Sequence, residues 1–194
     1  LRNAFLGQSE VAKVPGLSDV PTRDVARVAV LGGGTMGGGI AMCFANAGFP
    51  VVLKEVDATA LERGLATIRK NYQASVSRGT LSDEEMRRRI ELIRPTLEWQ
   101  DVAEVDLIVE AVFEDMAVKH EVFERLDAVA RPGAILATNT SYLDVAEIAG
   151  FTRRPQDVVG MHFFSPANVM RLLENVRTER TAPEVLATVM KLGR

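Results

Sequence analysis

The chain has 194 residues, 47% of them hydrophobic and 25% charged, with a formal net charge of -3. That is enough apolar material for one well-filled core, and it excludes a disordered or collagen-like chain. The mild acidity supplies no basic field for nucleic acid, and the single cysteine allows no internal disulfide framework.

In chain order, residues 1–14 suggest a short helix through Ala4, Phe5, Val11 and Val14, ended by Pro15-Gly16, and Pro21-Thr22-Arg23-Asp24 reads as linker. Residues 1–24 are therefore expected to be a linker helix and linker, ahead of one main domain over 25–194. Val28 to Leu31 predicts a strand that runs straight into Gly32-Gly33-Gly34-Thr35-Met36-Gly37, followed by a helix from about Met36 to Ala47. The apolar run Val51-Val52-Leu53-Lys54-Glu55 ends on an acid. A long helix over Ala58 to Ser77 follows, and Ser82-Asp83-Glu84-Glu85 reads as a capping box opening a helix that ends near Leu92. On that helix Arg87, Arg88 and Arg89 sit opposite Asp83, Glu84, Glu85 and Glu91, which predicts a solvated, salt-bridged face.

Further strands are expected at Ile93 to Leu97, Asp106 to Val112, Ala134 to Thr138, Val158 to Phe163 and Leu172 to Val176. Helices are expected at Val118 to Ala130, near Leu143 to Ala149, and after a second capping box at Thr181-Ala182-Pro183-Glu184. Near-continuous apolar strands alternating with helices predict an α/β fold of the Rossmann type, a doubly wound, mostly parallel sheet with helices on both faces. No apolar run of about 18 residues and no charged-then-apolar leader is present, so neither a membrane span nor a secretory signal is expected. With one cysteine, a reducing, cytoplasmic setting is the expectation. The start at Leu1 and the stop at Arg194 directly after a helix suggest a piece of something longer.

The glycine-rich turn carries the first chemical reading. Gly32 permits the tight turn off the strand, Gly34 lets backbone approach a pyrophosphate, and Gly37 lets the helix lie close to the sheet. With Thr35 and Met36 they present free backbone N–H groups at the positive end of a helix, where phosphates bind without a basic side chain. Glu55 can accept two hydrogen bonds from a ribose diol and would repel a 2′-phosphate, which favours NAD over NADP. Lys54 should point to the other face of the strand. A lone glycine motif is weak, since a tightly packed turn gives the same letters; the strand before it, the helix after it and the acid beyond make NAD the expected cofactor.

Polar residues cluster at the carboxyl ends of later strands: Glu114 and Lys119, then Asn139, Thr140 and Ser141, then His162. His120 lies among charged helix residues and reads as a solvated surface histidine. Cys43, among small apolar neighbours, reads as a buried, inert thiol. His162 alone could equally be a satisfied core residue. If Glu174 lies on an inward face with Leu172 and Val176, its carboxylate needs a partner, and His162 could be that partner. The carboxylate would fix the imidazole tautomer and stabilise the imidazolium formed when a hydroxyl proton is taken up, as NAD-dependent oxidation of a secondary alcohol requires. A structural His–Glu ion pair remains the alternative. No metal site is expected.

Gly32 through Ala41, Asn139-Thr140-Ser141, and His162-Phe163-Phe164-Ser165-Pro166 with Met170 and Glu174 resemble the NAD-binding domain of the L-3-hydroxyacyl-CoA dehydrogenases, over about Val25 to Arg194. The resemblance implies that His162 is the catalytic base, Glu174 its orienting partner and Ser141 a contact to the reacting oxygen. It places Glu55, Glu114 and Lys119 against the cofactor, and Asn71 and Arg78 of the long helix near the coenzyme A of an acyl-CoA substrate. The implied reaction is oxidation of 3-hydroxyacyl-CoA to 3-oxoacyl-CoA in fatty-acid β-oxidation. Ser165-Pro166-Ala167-Asn168 and the Leu1 to Pro15 segment are more similar to multifunctional enzymes, which implies an enoyl-CoA hydratase domain before this piece and a helical C-terminal domain after it. Asn175 and Tyr142 depart from the family's usual residues. Another Rossmann β-hydroxyacid dehydrogenase, or a non-catalytic NAD-binding module, would keep the glycines without needing the His162 and Glu174 pair.

Overall fold

The computed structural model describes residues 14–17 and 19–193, so the helix expected over residues 1–14 lies almost wholly outside the described residues. Pro15-Gly16 makes the expected turn, closed by Leu17 N–H donating to Val14 O at 3.2 Å. Seven strands form one sheet: β1 (Val28–Leu31), β2 (Val51–Lys54), β3 (Ile93–Thr96), β4 (Leu107–Glu110), β5 (Ile135–Thr138), β6 (Val158–Phe163) and β7 (Leu173–Val176). Their order is β3-β2-β1-β4-β5-β6-β7, with every pairing parallel except the last. The helices are α1 (Thr35–Asn46), α2 (Ala58–Ser77), α3 (Asp83–Glu91), α4 (Met116–Val129), α5 (Val145–Gly150) and α6 (Pro183–Leu192).

Strand side chains alternate between two cores, which is why the strands read as unbroken apolar runs. Val28, Val30, Leu107 and Val109 face Ile40, Ile68 and Tyr72 of α1 and α2. Ala29, Leu31 and Ile108 face Phe123, Leu126 and Ile148 of α4 and α5. Each large aliphatic or aromatic side chain buried this way contributes roughly 1.5–3 kcal/mol before chain entropy is counted.

Helix starts follow local side-chain chemistry. Asp57, Ser82, Asp115 and Asp144 each accept from a backbone N–H in the first turn of α2, α3, α4 and α5. The Glu85 side chain turns to Arg88 and Arg89, at 2.6 and 3.0 Å, and Arg89 also reaches Asn46 at the end of α1, so the basic run lies on a salt-bridged face. The capping box expected at Thr181 does not form: α6 opens from Ala182 without a side-chain cap. Thr181 Oγ1 donates to Val158 O and accepts from Thr178 N–H, both at 2.9 Å, so it ties the incoming loop to β6.

β1 sits between β2 and β4, so the chain winds away from it in both directions. The two crossovers part there and open a crevice at the carboxyl ends of β1 and β4, the place where ligands bind in such sheets.

Candidate active site

The crevice begins at the glycine turn, where sterics explain most residue choices. Gly32 has φ of 90°, and a Cβ there would stand 2.7 Å from Ala111 O. A Cβ on Gly37 would fall 1.8 Å from Gly32 O, whereas one on Gly34 would meet nothing, because Gly34 borders open space. The first turn of α1 has no acidic residue and no side-chain cap. Its amides, those of Thr35, Met36 and Gly37, have no partner within the helix, and they fit a pyrophosphate. Gly64, which the sequence reading passed over, is required too: its Cβ would sit 2.6 Å from Gly33 O, so α2 rests directly on the turn. A glycine inside an otherwise strong helix was the available signal.

Glu55, just past β2, is held beside the turn. Its Oε1 accepts from Gly33 N–H at 2.6 Å and its Oε2 from Val56 N–H at 2.9 Å, which leaves lone pairs for a diol. Lys54 faces away, as expected, with Nζ 4.3 Å over the Trp99 ring and donating to Glu55 O. Burial lowers the pKa of this ammonium group, against the opposing pull of Glu55.

From the turn a cleft of about 310 Å³ runs across the sheet edge, lined by Met36, Glu114, Lys119, Asn139, Ser141 and His162 among others. These expected site residues come from four separate segments, and the fold brings them together. Asn139 Oδ1 accepts from Phe163 N–H at 2.9 Å and holds the end of β6 against β5. Glu114 Oε1 accepts from Thr140 Oγ1 and from Ser141 N–H, at 2.6 and 2.8 Å. Burial opposes ionisation of Glu114, but those bonds and the one from Lys119 outweigh it and hold the carboxyl below its usual range. In the sequence Glu110 reads only as part of an apolar strand. It is fully buried and bound to Lys119 Nζ at 2.8 Å. An acid inside an apolar run is the sign that pointed to it.

His162 and Glu174 are directly opposed across the antiparallel β6–β7 pair. His162 Nδ1 lies 3.0 Å from Glu174 Oε2, with the two side chains 18% and 55% exposed. The pair therefore forms, though not for the reason expected. Leu173 and Asn175 are the half-buried residues of β7, while Glu174 and Val176 occupy its outer, exposed face. The cross-strand register, not the cost of a buried charge, brings the carboxylate to the imidazole. With Nδ1 occupied, Nε2 is the ring nitrogen left to accept a proton.

Other expectations part from the cleft. Asn71 turns toward α1, with Nδ2 3.8 Å from Met42 Sδ, and Arg78 caps the far end of α2, about 20 Å along the helix from Gly64, where the glycine turn touches it. Neither residue lines the cleft. His120 is exposed and pairs with Glu124 at 3.2 Å. Burial pushes the Cys43 thiol up to about 11, and Sγ donates to Ala167 O at 3.1 Å, so it is an inert thiol at ordinary pH. Among the described residues no helix is long and apolar enough to cross a membrane.

A doubly wound sheet whose crevice holds a glycine turn, an acid at the next strand end and a histidine–carboxylate pair defines a Rossmann-type NAD-binding domain of dehydrogenase character. Residues 27–194 match the family of the 3-hydroxyacyl-CoA dehydrogenase, NAD binding domain, and the chain belongs to that family, with NAD as its cofactor. It is 40% identical over 196 residues to a peroxisomal fatty acid beta-oxidation multifunctional protein of Oryza sativa subsp. japonica, covering 100% of this chain and 27% of the relative. It is 48% identical over 174 residues to the peroxisomal bifunctional enzyme of Cavia porcellus, covering 89% of this chain and 24% of that protein. Among solved structures, 3-hydroxybutyryl-CoA dehydrogenase of Escherichia coli matches with a TM-score of 0.85 at 38% identity, over 88% of this chain and 36% of the other. The chain thus spans about a quarter of the curated relatives it matches.

Proposed function

We propose that this chain is the coenzyme-holding part of an enzyme that oxidises 3-hydroxyacyl-CoA to 3-oxoacyl-CoA in fatty-acid β-oxidation. The observation that carries the reading is the His162–Glu174 pair at the mouth of the same cleft that starts at the glycine turn. Bound NAD supplies the hydride acceptor. The chain's own residues do the rest: the first turn of α1 and Glu55 would hold the adenosine and pyrophosphate half, and Met36, Asn139 and Ser141 line the cleft that would receive the other half. Ser141 Oγ would contact the substrate's reacting oxygen from the place where Glu114 holds it. His162 Nε2 takes the hydroxyl proton, and Glu174 keeps the imidazole oriented and balances the imidazolium charge.

Glu174 is more than half exposed and Ser141 is exposed, so this chain alone leaves the reacting groups in water. Water exclusion and the acyl-CoA walls then belong to a further helical domain, as the family resemblance implies and the greater length of the relatives allows, and an enoyl-CoA hydratase domain is the partner expected on the other side. The lone Cys43 suits a reducing compartment, and we place the protein in the cytoplasm or a peroxisome-like body, since the plant and animal relatives carry peroxisomal names.

The test is NADH formation from 3-hydroxybutyryl-CoA, comparing this chain with the longer protein that contains it. The longer protein should turn over while this chain binds NAD and does so poorly. A longer protein that binds NAD yet leaves every 3-hydroxyacyl-CoA untouched overturns the reading.

A further inference from the structure

Behind the cleft wall lies a closed ring of polar side chains. Glu110 Oε1 accepts from Lys119 Nζ at 2.8 Å, and Lys119 Nζ reaches on to Glu114 Oε2 at 3.1 Å. Glu114 Oε1 accepts from Thr140 Oγ1 at 2.6 Å, Thr140 N–H donates to Thr138 Oγ1 at 3.3 Å, and Thr138 Oγ1 donates back to Glu110 Oε2 at 2.7 Å. Val112 N–H supplies a further bond to Glu110 at 2.9 Å. Glu110 pairs in register with Thr138, so the ring joins the ends of β4 and β5 to the first turn of α4.

The ring's members differ in where they stand. Glu110 is wholly enclosed and touches nothing outside the fold, whereas Lys119 and Glu114 line the cleft, beside Ser141. A carboxylate so deeply placed is costly unless every oxygen is served, and here both are. Lys119 is only 1% exposed, and its ammonium is shared between two carboxylates. Without Glu110, that ammonium would have only Glu114 to hold it and would be free to swing, and Glu114 would lose the brace that sets its grip on Ser141 N–H and Oγ, at 2.8 and 3.3 Å.

We propose that Glu110 is a positioning residue for the nicotinamide end of the coenzyme: it acts from inside the fold, through Lys119, on Glu114 and Ser141. This rests on the coenzyme reading above. The adenosine end is held by different groups, the glycine turn and Glu55, none of which touches the ring. That separation gives a readout that general destabilisation does not imitate.

The experiment measures binding of NAD+ and of ADP-ribose, which lacks nicotinamide, to this chain by calorimetry, for the wild type, Glu110→Gln and Thr138→Val. For Glu110→Gln the expected result is NAD+ binding about tenfold weaker, with ADP-ribose within twofold of wild type. Thr138→Val removes one ring donor and keeps all charges, so about a threefold loss of NAD+ alone is expected; it decides the matter if Glu110→Gln does not fold. Equal weakening of both ligands, or no change in either, overturns the role of Glu110. A wild-type chain that binds neither ligand would instead bring down the coenzyme reading, and this inference with it.

Discussion

The two ends of the cleft are built on opposite terms. At the glycine turn, position is set by backbone against backbone: Gly32 on Ala111, Gly37 on Gly32 and Gly64 on Gly33, with no room for a single added carbon. At the other end, His162 and Glu174 stand on the last two strands of the sheet, joined by one hydrogen bond, with the carboxylate largely in water. One end is closed by packing and the other is open to water. The coenzyme half can therefore be complete in this chain while the chemical half is not.

Removing His162, the proposed base at the open end, should produce the largest effect. In the longer enzyme His162→Ala is expected to lower kcat by roughly a hundred- to ten-thousandfold, the range for a positioned general base, while NAD affinity stays within twofold. Steady-state rates alongside NAD titration check this, and an unchanged rate would also favour a mere nucleotide-binding module. At the closed end Gly37→Ala forces a Cβ to 1.8 Å from backbone that cannot retreat. A stability loss of about 3 kcal/mol is expected, with NAD binding lost as well, read from urea unfolding and calorimetry. If that variant folds and binds normally, the steric account of the turn is wrong.

Glu174→Gln comes next and probes how far an exposed partner matters. It keeps a hydrogen bond to Nδ1 but removes the charge that balances the imidazolium, so kcat should fall about ten- to a hundredfold, less than for the histidine. A loss equal to that of His162→Ala would mean that the two act as one unit.

The same contrast explains what the sequence disclosed. The glycine turn, Glu55 and the run of strands and helices were legible because each depends on local spacing: φ above zero, strand then turn then helix, apolar periodicity. The His162–Glu174 pair was legible only in part. Its members were found, yet Glu174 was assigned to the inner face, and the structure puts it on the outer one; burial of an edge strand depends on what packs beside it, which one chain's letters do not carry. Thr181 misled for a related reason, since Thr-x-x-Glu also fits a threonine bound to a neighbouring strand. Glu110 and Gly64 were passed over because their partners, Thr138 and Gly33, are distant in the chain and adjacent only after folding. Asn71 and Arg78 rest on resemblance alone, as contacts to coenzyme A and not to this cleft, which neither lines.

The smallest effect lies between the two ends, at Glu114, and is read as pH dependence. Burial alone would raise its pKa, but the bonds from Thr140, Ser141 and Lys119 win and lower it in the folded state. A carboxyl whose folded pKa lies below its unfolded value, about 4.3, stabilises the fold above that value and loses the contribution as pH falls through the lower one. Melting temperature measured from neutral pH down to about pH 3 should therefore fall more steeply for wild type than for Glu114→Gln, whose neutral amide does not titrate. The gap between them at neutral pH is expected to be about 1 kcal/mol, narrowing as the pH falls below about 4.3 toward the lower folded value. Asp106 is also held low, by the amides of Ala26 and Arg27 and by Arg131 against its own burial, but it titrates in both proteins and cancels in the difference. Parallel curves would mean that Glu114 is not held by its neighbours as the geometry requires, and the wall joining the packed end of the cleft to the open one would lose its electrostatic anchor.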